Sequence, residues 1–184
     1  MKLRVSLFFI AVLFFSCGRD YREEDITPEA MRKKDSLTVR EEKMNYGLEK
    51  TNKVMLKKEE DKIRTYAERR GWNVEQRQGV FIQVVEKGGS VSVRDGDEVV
   101  LEYECELLNG VKVYDSRRDG LLRIRVGEDS EVPLGLQLAV RHLNLNSLAR
   151  VIVPYNLAYG LSGDGNRIPK SATLVYTLKV KEIK

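Results

Sequence analysis

The side chains able to do chemistry are few, and most of them are phenols. Tyr159 stands in the turn Leu157-Ala158-Tyr159-Gly160. A tyrosine in a glycine-bounded turn is hard to account for as core, so its hydroxyl is a candidate hydrogen-bond donor. Tyr103 and Tyr176 lie on the inward faces of alternating segments, where core packing alone would also account for them. Asp115 follows Tyr114; it either holds a loop, for instance by pairing with Arg117 or Arg118, or orients a ligand. The one histidine, His142, falls on a short amphipathic stretch and reads as a solvated or capping residue. Cys105 alternates with Leu101, Tyr103 and Leu107, the setting of a buried, inert thiol. These residues form no constellation of nucleophile, base and orienting partner, and no metal site is expected.

The elements that must position them follow from periodicity. Val80 to Val85 reads as a strand, with Gly88-Gly89-Ser90 and Asp95-Gly96-Asp97 as turns. Glu98 to Leu107 alternates most cleanly: Val99, Leu101, Tyr103, Cys105 and Leu107 face inward, and four glutamates face water. Asn109-Gly110 is a hairpin signal leading into a strand from Val111 to Asp115. Leu122 to Val126 is another short strand. Leu136, Val140 and Leu143 recur at helical spacing, which predicts a helix from Leu134 to Leu143. Leu148 to Val153 and Thr173 to Val180 complete the strands. Mostly antiparallel strands with one late helix make an α+β domain, expected over residues 72–184.

Ahead of it, Thr27-Pro28-Glu29 is a helix start, with an N-cap hydroxyl and proline at the first helical position. The helix predicted over the 27–71 segment runs to Arg70, with Gly71 as its stop and Gly47 as a candidate break. More than half of the residues from Glu29 to Arg70 are charged, so this helix is not expected in a core. Leu37, Met44, Leu48, Met55, Ile63 and Tyr66 form a sparse line at steps near 3.5 or 7, which suits either a solvated spacer or a homodimer stalk. The net charge of +4 arises from 32 basic and 28 acidic residues of mixed order, which is no footprint for nucleic acid.

Residues 1–17 form a targeting segment. Lys2 and Arg4 precede an apolar run from Val5 to Phe15, too short to span a bilayer and suited to a secretory signal. Ser16-Cys17-Gly18 then resembles a bacterial lipoprotein cleavage site, with Cys17 as the lipidated terminus. Phe14 and Phe15 stand where Leu and a small residue are usual, and an ordinary signal peptide with an incidental cysteine is the alternative. Residues 18–26 are a polar tether whose Glu23-Glu24-Asp25 cluster loosely resembles a surface-export signal.

Four motifs in order carry a family resemblance. They are VVLEYECELLNG followed by VYDS, Val126-Gly127 before the helix, the LAYG turn, and IPKSATLVYTLKV. Together they resemble the FKBP-type peptidyl-prolyl isomerases over roughly Gly79 to Lys184. The resemblance implies an antiparallel sheet half-wrapped around the short helix, preceded here by the long charged helical segment. It implies a pocket between them, no cofactor, and proline-containing segments of unfolded or envelope proteins as partners. The pocket positions would be Tyr103, Tyr114, Asp115, Leu122, Val132, Pro133, Leu136, Tyr159, Ile168 and Tyr176, with Tyr103, Tyr114, Asp115 and Tyr159 in the catalytic roles and Tyr159 donating to a bound carbonyl.

The reaction so implied is rotation about an X–Pro bond, whose resonance barrier is about 18–20 kcal/mol. The twisted amide has lost resonance and polarity, so a dry aromatic pocket favours it over the planar, solvated form. Several positions depart from the family pattern. Leu136 replaces a common Trp and Leu122 a Phe. Pro133 replaces Ile and removes a backbone donor. Asp164 and Arg167 replace aromatic, small or aliphatic residues, and Asn146 replaces a glycine after the helix. The expectation is a wider, less aromatic pocket, weak macrolide binding and low-to-moderate activity. An FKBP-like binding lipoprotein with little isomerase activity is the alternative. The expected location is the bacterial envelope, lipid-anchored in the outer membrane and facing the periplasm or the surface.

Overall fold

The computed structural model describes residues 28–184. The expected signal segment, Cys17, the tether and the Thr27 cap lie outside the described residues. The chain divides into one unit ending at Glu49 and a second from Lys50 to Lys184. The domain expected to begin at residue 72 therefore takes in the last turns of the preceding helix.

That helix, α1, spans Pro28–Arg69, and Gly47 lies inside it without ending it. Gly71, at φ 65°, stops it as expected, and the Trp72 N–H returns to the Ala67 carbonyl at 2.9 Å. Leu37, Met44 and Leu48 are exposed. Among the described residues no helix is long and apolar enough to cross a membrane.

In the second unit the strands are β1 (Glu75–Arg77), β2 (Val80–Glu86), β3 (Glu98–Leu107), β4 (Lys112–Asp115), β5 (Leu122–Arg125), β6 (Leu148–Val153) and β7 (Leu174–Ile183). They form one antiparallel sheet in the order β1-β2-β6-β7-β3-β4, with β5 also paired to β3. β1 is an addition to the strands expected from periodicity. Two short helices, α2 (Ser116–Asp119) and α3 (Leu134–Val140), complete the fold. α3 ends three residues earlier than expected, so His142 sits in the following turn and not on the helix. It is half-buried and lines an open hollow beside β1 and β2; its Nε2 is buried without a partner, and burial lowers its pKa, so it is only partly solvated.

The sheet is packed on both faces. On one face, Val99, Leu101, Cys105, Val151, Leu174 and Leu178 close against Leu136, Ala139 and Val140 of α3. On the other, Phe81, Ile152 and Val175 receive Ile63 and Ala67 of α1. This corrects the expectation that the charged helix stays out of any core. Ile63 is 0% exposed, because the charges sit on the remaining faces of the helix.

β3 organises the site. One of its edges is shared by β5, beside Glu98–Leu101, and by β4, beside Glu104–Glu106. Tyr103 falls in the gap between them. The Ser116 hydroxyl fills that gap, accepting from the Tyr103 N–H and donating to the Tyr103 carbonyl, both at 3.2 Å. Buried backbone groups require such partners, and the result pins Tyr103 where the sheet splits.

Candidate active site

At the α3 side of the sheet lies a cavity of about 270 Å³. Cys105, Leu136 and Tyr176 form its buried floor, and Tyr103, Tyr114, Leu122, Val132, Pro133 and Tyr159 its walls. Arg123, Asp129 and Glu131 stand at its margin. Three larger hollows lie elsewhere among the described residues: a polar cleft of about 370 Å³ beside α2, a groove of about 740 Å³ between the end of α1 and the β3–β4 turn, and a polar hollow of about 440 Å³ beside β1, β2 and His142. Only the smallest of these four has an apolar floor ringed by phenols, the form a ligand site takes.

Most of the residues expected at the pocket are thus brought together, but two are not. Asp115 caps α2: its Oδ1 accepts from the Arg117 and Arg118 backbone N–H groups at 3.0 Å, and its own N–H donates to Asp119 Oδ2 at 3.0 Å. It holds a loop through backbone amides, not through the arginine side chains, and it lines the neighbouring polar cleft. Ile168 belongs to the packed core beside the cavity, with its N–H donated to Asp164 Oδ1 at 2.8 Å.

The phenols are not equivalent. Burial pushes the Tyr159 hydroxyl up to about 12, so it stays protonated and able to donate. Burial likewise raises Tyr103. Among the described residues neither hydroxyl has a hydrogen-bond partner. Tyr176 is wholly buried, its pKa is driven well up by desolvation, and it interacts with the Cys105 thiol. Burial pushes that thiol to about 12, leaving it inert. The Tyr114 hydroxyl donates to Asp164 Oδ2 at 2.5 Å.

One residue that sequence reasoning missed shapes the wall beneath α3. Gln137 is buried; its Oε1 accepts from the Gly127 N–H at 2.9 Å, and its Nε2 donates to the carbonyls of Asp129 and Val132. It staples the loop that presents Val132 and Pro133. Its signal was a single amide in the apolar run Leu134-Gly135-Leu136-Gln137-Leu138. Pro133 cannot donate a backbone N–H, and its carbonyl accepts from Leu136 and Gln137 at the start of α3.

This arrangement offers an apolar slot and two unpaired phenol donors, and no proton relay or nucleophile. The family model for FKBP-type peptidyl-prolyl cis-trans isomerases matches residues 89–181. The chain belongs to this family. FK506-binding protein 4 of Chaetomium thermophilum is 37% identical over 108 residues, 58% of this chain and 22% of that protein. The FKBP-type peptidyl-prolyl cis-trans isomerase FkpA of Escherichia coli is 30% identical over 107 residues, 58% of this chain and 38% of that protein. The matches thus span between about a fifth and two fifths of these relatives' own length.

Two solved structures share the FKBP fold. The crystal structure of FkpA from Escherichia coli aligns with a TM-score of 0.59 at 22% identity, covering 87% of this chain and 74% of that one. The N-terminal domain of FKBP42 from Arabidopsis thaliana aligns with a TM-score of 0.57 at 22% identity, covering 61% of this chain and 92% of that one. The alternation of β3 and β7 explains why the FKBP cavity forms here: Tyr103 pairs with Leu178 and Cys105 with Tyr176, so the floor and one wall come from adjacent strands.

Proposed function

We propose that this FKBP-family chain is a peptidyl-prolyl cis-trans isomerase that acts on proline-containing segments of envelope or secreted proteins. The observation that carries the reading is the 270 Å³ cavity, with its apolar floor and the unpaired hydroxyl of Tyr159 at its wall. A prolyl ring fits an apolar slot, and a phenol beside it can donate to a neighbouring carbonyl. The bound amide leaves water, which favours the less polar twisted state over the planar one. Tyr159 and Tyr103 supply the donors. Leu122, Val132, Pro133, Leu136 and Tyr176 shape the slot. Asp115 acts at one remove, through the α2 turn that places Ser116 against Tyr103.

We place the protein in the bacterial envelope, anchored in the outer membrane through a lipidated Cys17. The support is the short apolar leader ending at Ser16-Cys17-Gly18. Cys17→Ser should release the protein from membranes; continued membrane association contradicts lipidation. A second reading, a binding module with little turnover, is favoured by Pro133, which withholds a backbone donor, and by Leu136, which stands where the family has a larger aromatic floor.

A protease-coupled isomerisation assay on the purified protein separates the two readings. Isomerisation faster than the uncatalysed exchange of tens to hundreds of seconds is expected. Tyr159→Phe should reduce kcat/KM about five- to tenfold, the equivalent of one hydrogen bond of about 1–1.5 kcal/mol. No acceleration at micromolar protein, with retained binding of a proline peptide, selects the binding module.

A further inference from the structure

The two residues of the Gly160–Ile168 loop that depart furthest from the family pattern, Asp164 and Arg167, both reach across to other elements. We propose that they are positioning residues. Together they form a two-point latch that fixes the loop against β4 and α2, and so hold Tyr114 and Tyr159 ready for a prolyl segment.

The backbone itself closes this loop at few points: the Asp164 N–H donates to the Ile168 carbonyl at 3.3 Å and the Ser171 N–H to the Gly160 carbonyl at 3.1 Å. Gly160, Gly163 and Gly165 all adopt positive φ, conformations that glycine takes without strain. Asp164 imposes order first within the loop, where its Oδ1 accepts from the N–H groups of Asn166 at 2.9 Å and Ile168 at 2.8 Å. Its Oδ2 then takes the Tyr114 hydroxyl of β4. Arg167 makes the second grip. Its Nη1 donates to Asp119 Oδ1 of α2 at 2.8 Å and to the Val113 carbonyl at 3.2 Å. The same guanidinium lies over the Tyr114 ring, 4.6 Å from its centroid. Asp119 is itself held by the Asp115 N–H and is only 17% exposed at its side chain. An isolated surface ion pair would be worth little. Here a charge-assisted bond, a ring contact and a phenol–carboxylate bond converge on one cavity wall, Tyr114.

The consequence is kinetic. Tyr159 opens this loop and Ile168 closes it, so a loop that is latched before substrate arrives presents its wall without an ordering cost on binding. If either grip is lost, only a fraction of molecules is competent at any moment, and apparent affinity falls by that fraction. Substrate that does bind restores the closed loop, so turnover at saturation is kept.

The inference rests on the isomerase reading for its kinetic part and is testable without it. Asp164→Ala and Arg167→Ala should each raise KM about tenfold, with kcat within about twofold. The double variant should raise KM by at least the product of the single effects, because both grips hold one equilibrium that already lies on the latched side in the parent. Asp164→Asn keeps one oxygen for the Asn166 and Ile168 N–H groups and turns its NH2 toward the Tyr114 hydroxyl, which can accept instead of donate, so it should stay within about threefold of the parent KM. Amide hydrogen exchange across residues 161–168 should accelerate in both alanine variants while the β7 amides stay protected. Unchanged loop exchange in both alanine variants overturns the latch, as does a fall in kcat at constant KM. If the parent protein fails to isomerise any peptide, the proposed function falls; loop exchange and proline-peptide affinity then decide the latch alone.

Discussion

The two faces of the sheet are built from different chemistry. The inner face carries aliphatic residues and phenols around a hollow, with the Tyr103 and Tyr159 hydroxyls unpaired. The outer face is filled by α1 and laced with guanidinium–aromatic contacts. Arg64 lies 5.4 Å from the Phe81 centroid, Arg70 4.2 Å from that of Tyr66, and Arg150 4.7 Å from that of Trp72. Tyr66 and Trp72 meet edge to face at 5.6 Å. Glu59 is buried there and accepts from the Thr173 hydroxyl, with Lys62 at 3.5 Å. The difference separates two tasks within one thin layer. The outer side provides stability through packing, and the inner side leaves room and donors for a ligand.

The largest break in this comparison is removal of α1. A fragment of residues 72–184 lacks Ile63 and Ala67 and uncovers Phe81, Ile152 and Val175. It should lose cooperative melting, whereas residues 50–184 should keep it; equal melting temperatures would show the outer cluster to be idle. Ile63→Ala should cost about 2–5 kcal/mol in urea unfolding, with kcat/KM of the folded protein unchanged. Thr173→Val strips the buried Glu59 carboxylate of its hydroxyl donor and should cost about 1–3 kcal/mol. On the inner face, Tyr159→Phe should shift stability by about 0.5 kcal/mol or less, so its effect is confined to activity.

The smallest effects are those of pH and thiol chemistry. With its pKa near 12, Cys105 should resist alkylation at pH 8 in the folded chain and react only on unfolding, as read by mass analysis of its peptide. Desolvation pushes the Asp164 carboxyl up, but the Tyr114 hydroxyl and the Asn166 and Ile168 amides outweigh it and hold the pKa below the usual 3.8. A depressed folded pKa stabilises the folded state above the ordinary carboxylate value, and this is lost as pH falls through the lower folded value. Loop exchange, corrected for its intrinsic pH dependence, should therefore be constant from pH 8 to pH 5 and rise only below 3.8.

What was legible in the sequence divides along the same faces. Alternation in β3 and β7 assigns Tyr103, Cys105 and Tyr176 to one side, and a glycine-bounded turn marks Tyr159, so the cavity could be assembled from residue type and period. The outer cluster could not. Phe81, Ile152 and Val175 occupy the strand positions that alternation gives to solvent, and Ile63 with Ala67 is a short apolar patch in a helix dominated by charge. Asp115 and Ile168 were assigned to the pocket by resemblance; the partners that fix their places are backbone amides and a side chain four residues away, which leave no periodic trace. The pairing of Asp164 and Arg167 with β4 and α2 is a tertiary match between distant segments, which composition and spacing do not encode.

β7 is the wall that the two faces share, and this bears on how the protein can change over generations. Its residues alternate between the faces: Val175 meets α1, while Leu174 and Tyr176 meet the cavity side. A one-residue insertion there would exchange the two sets at once, sending a phenol under the helix and a valine into the slot. The helix-bearing side and the ligand-bearing side are therefore bound to one reading frame. A change in length within the arm before Lys50 disturbs neither set, whereas one among Leu174–Tyr176 disturbs both.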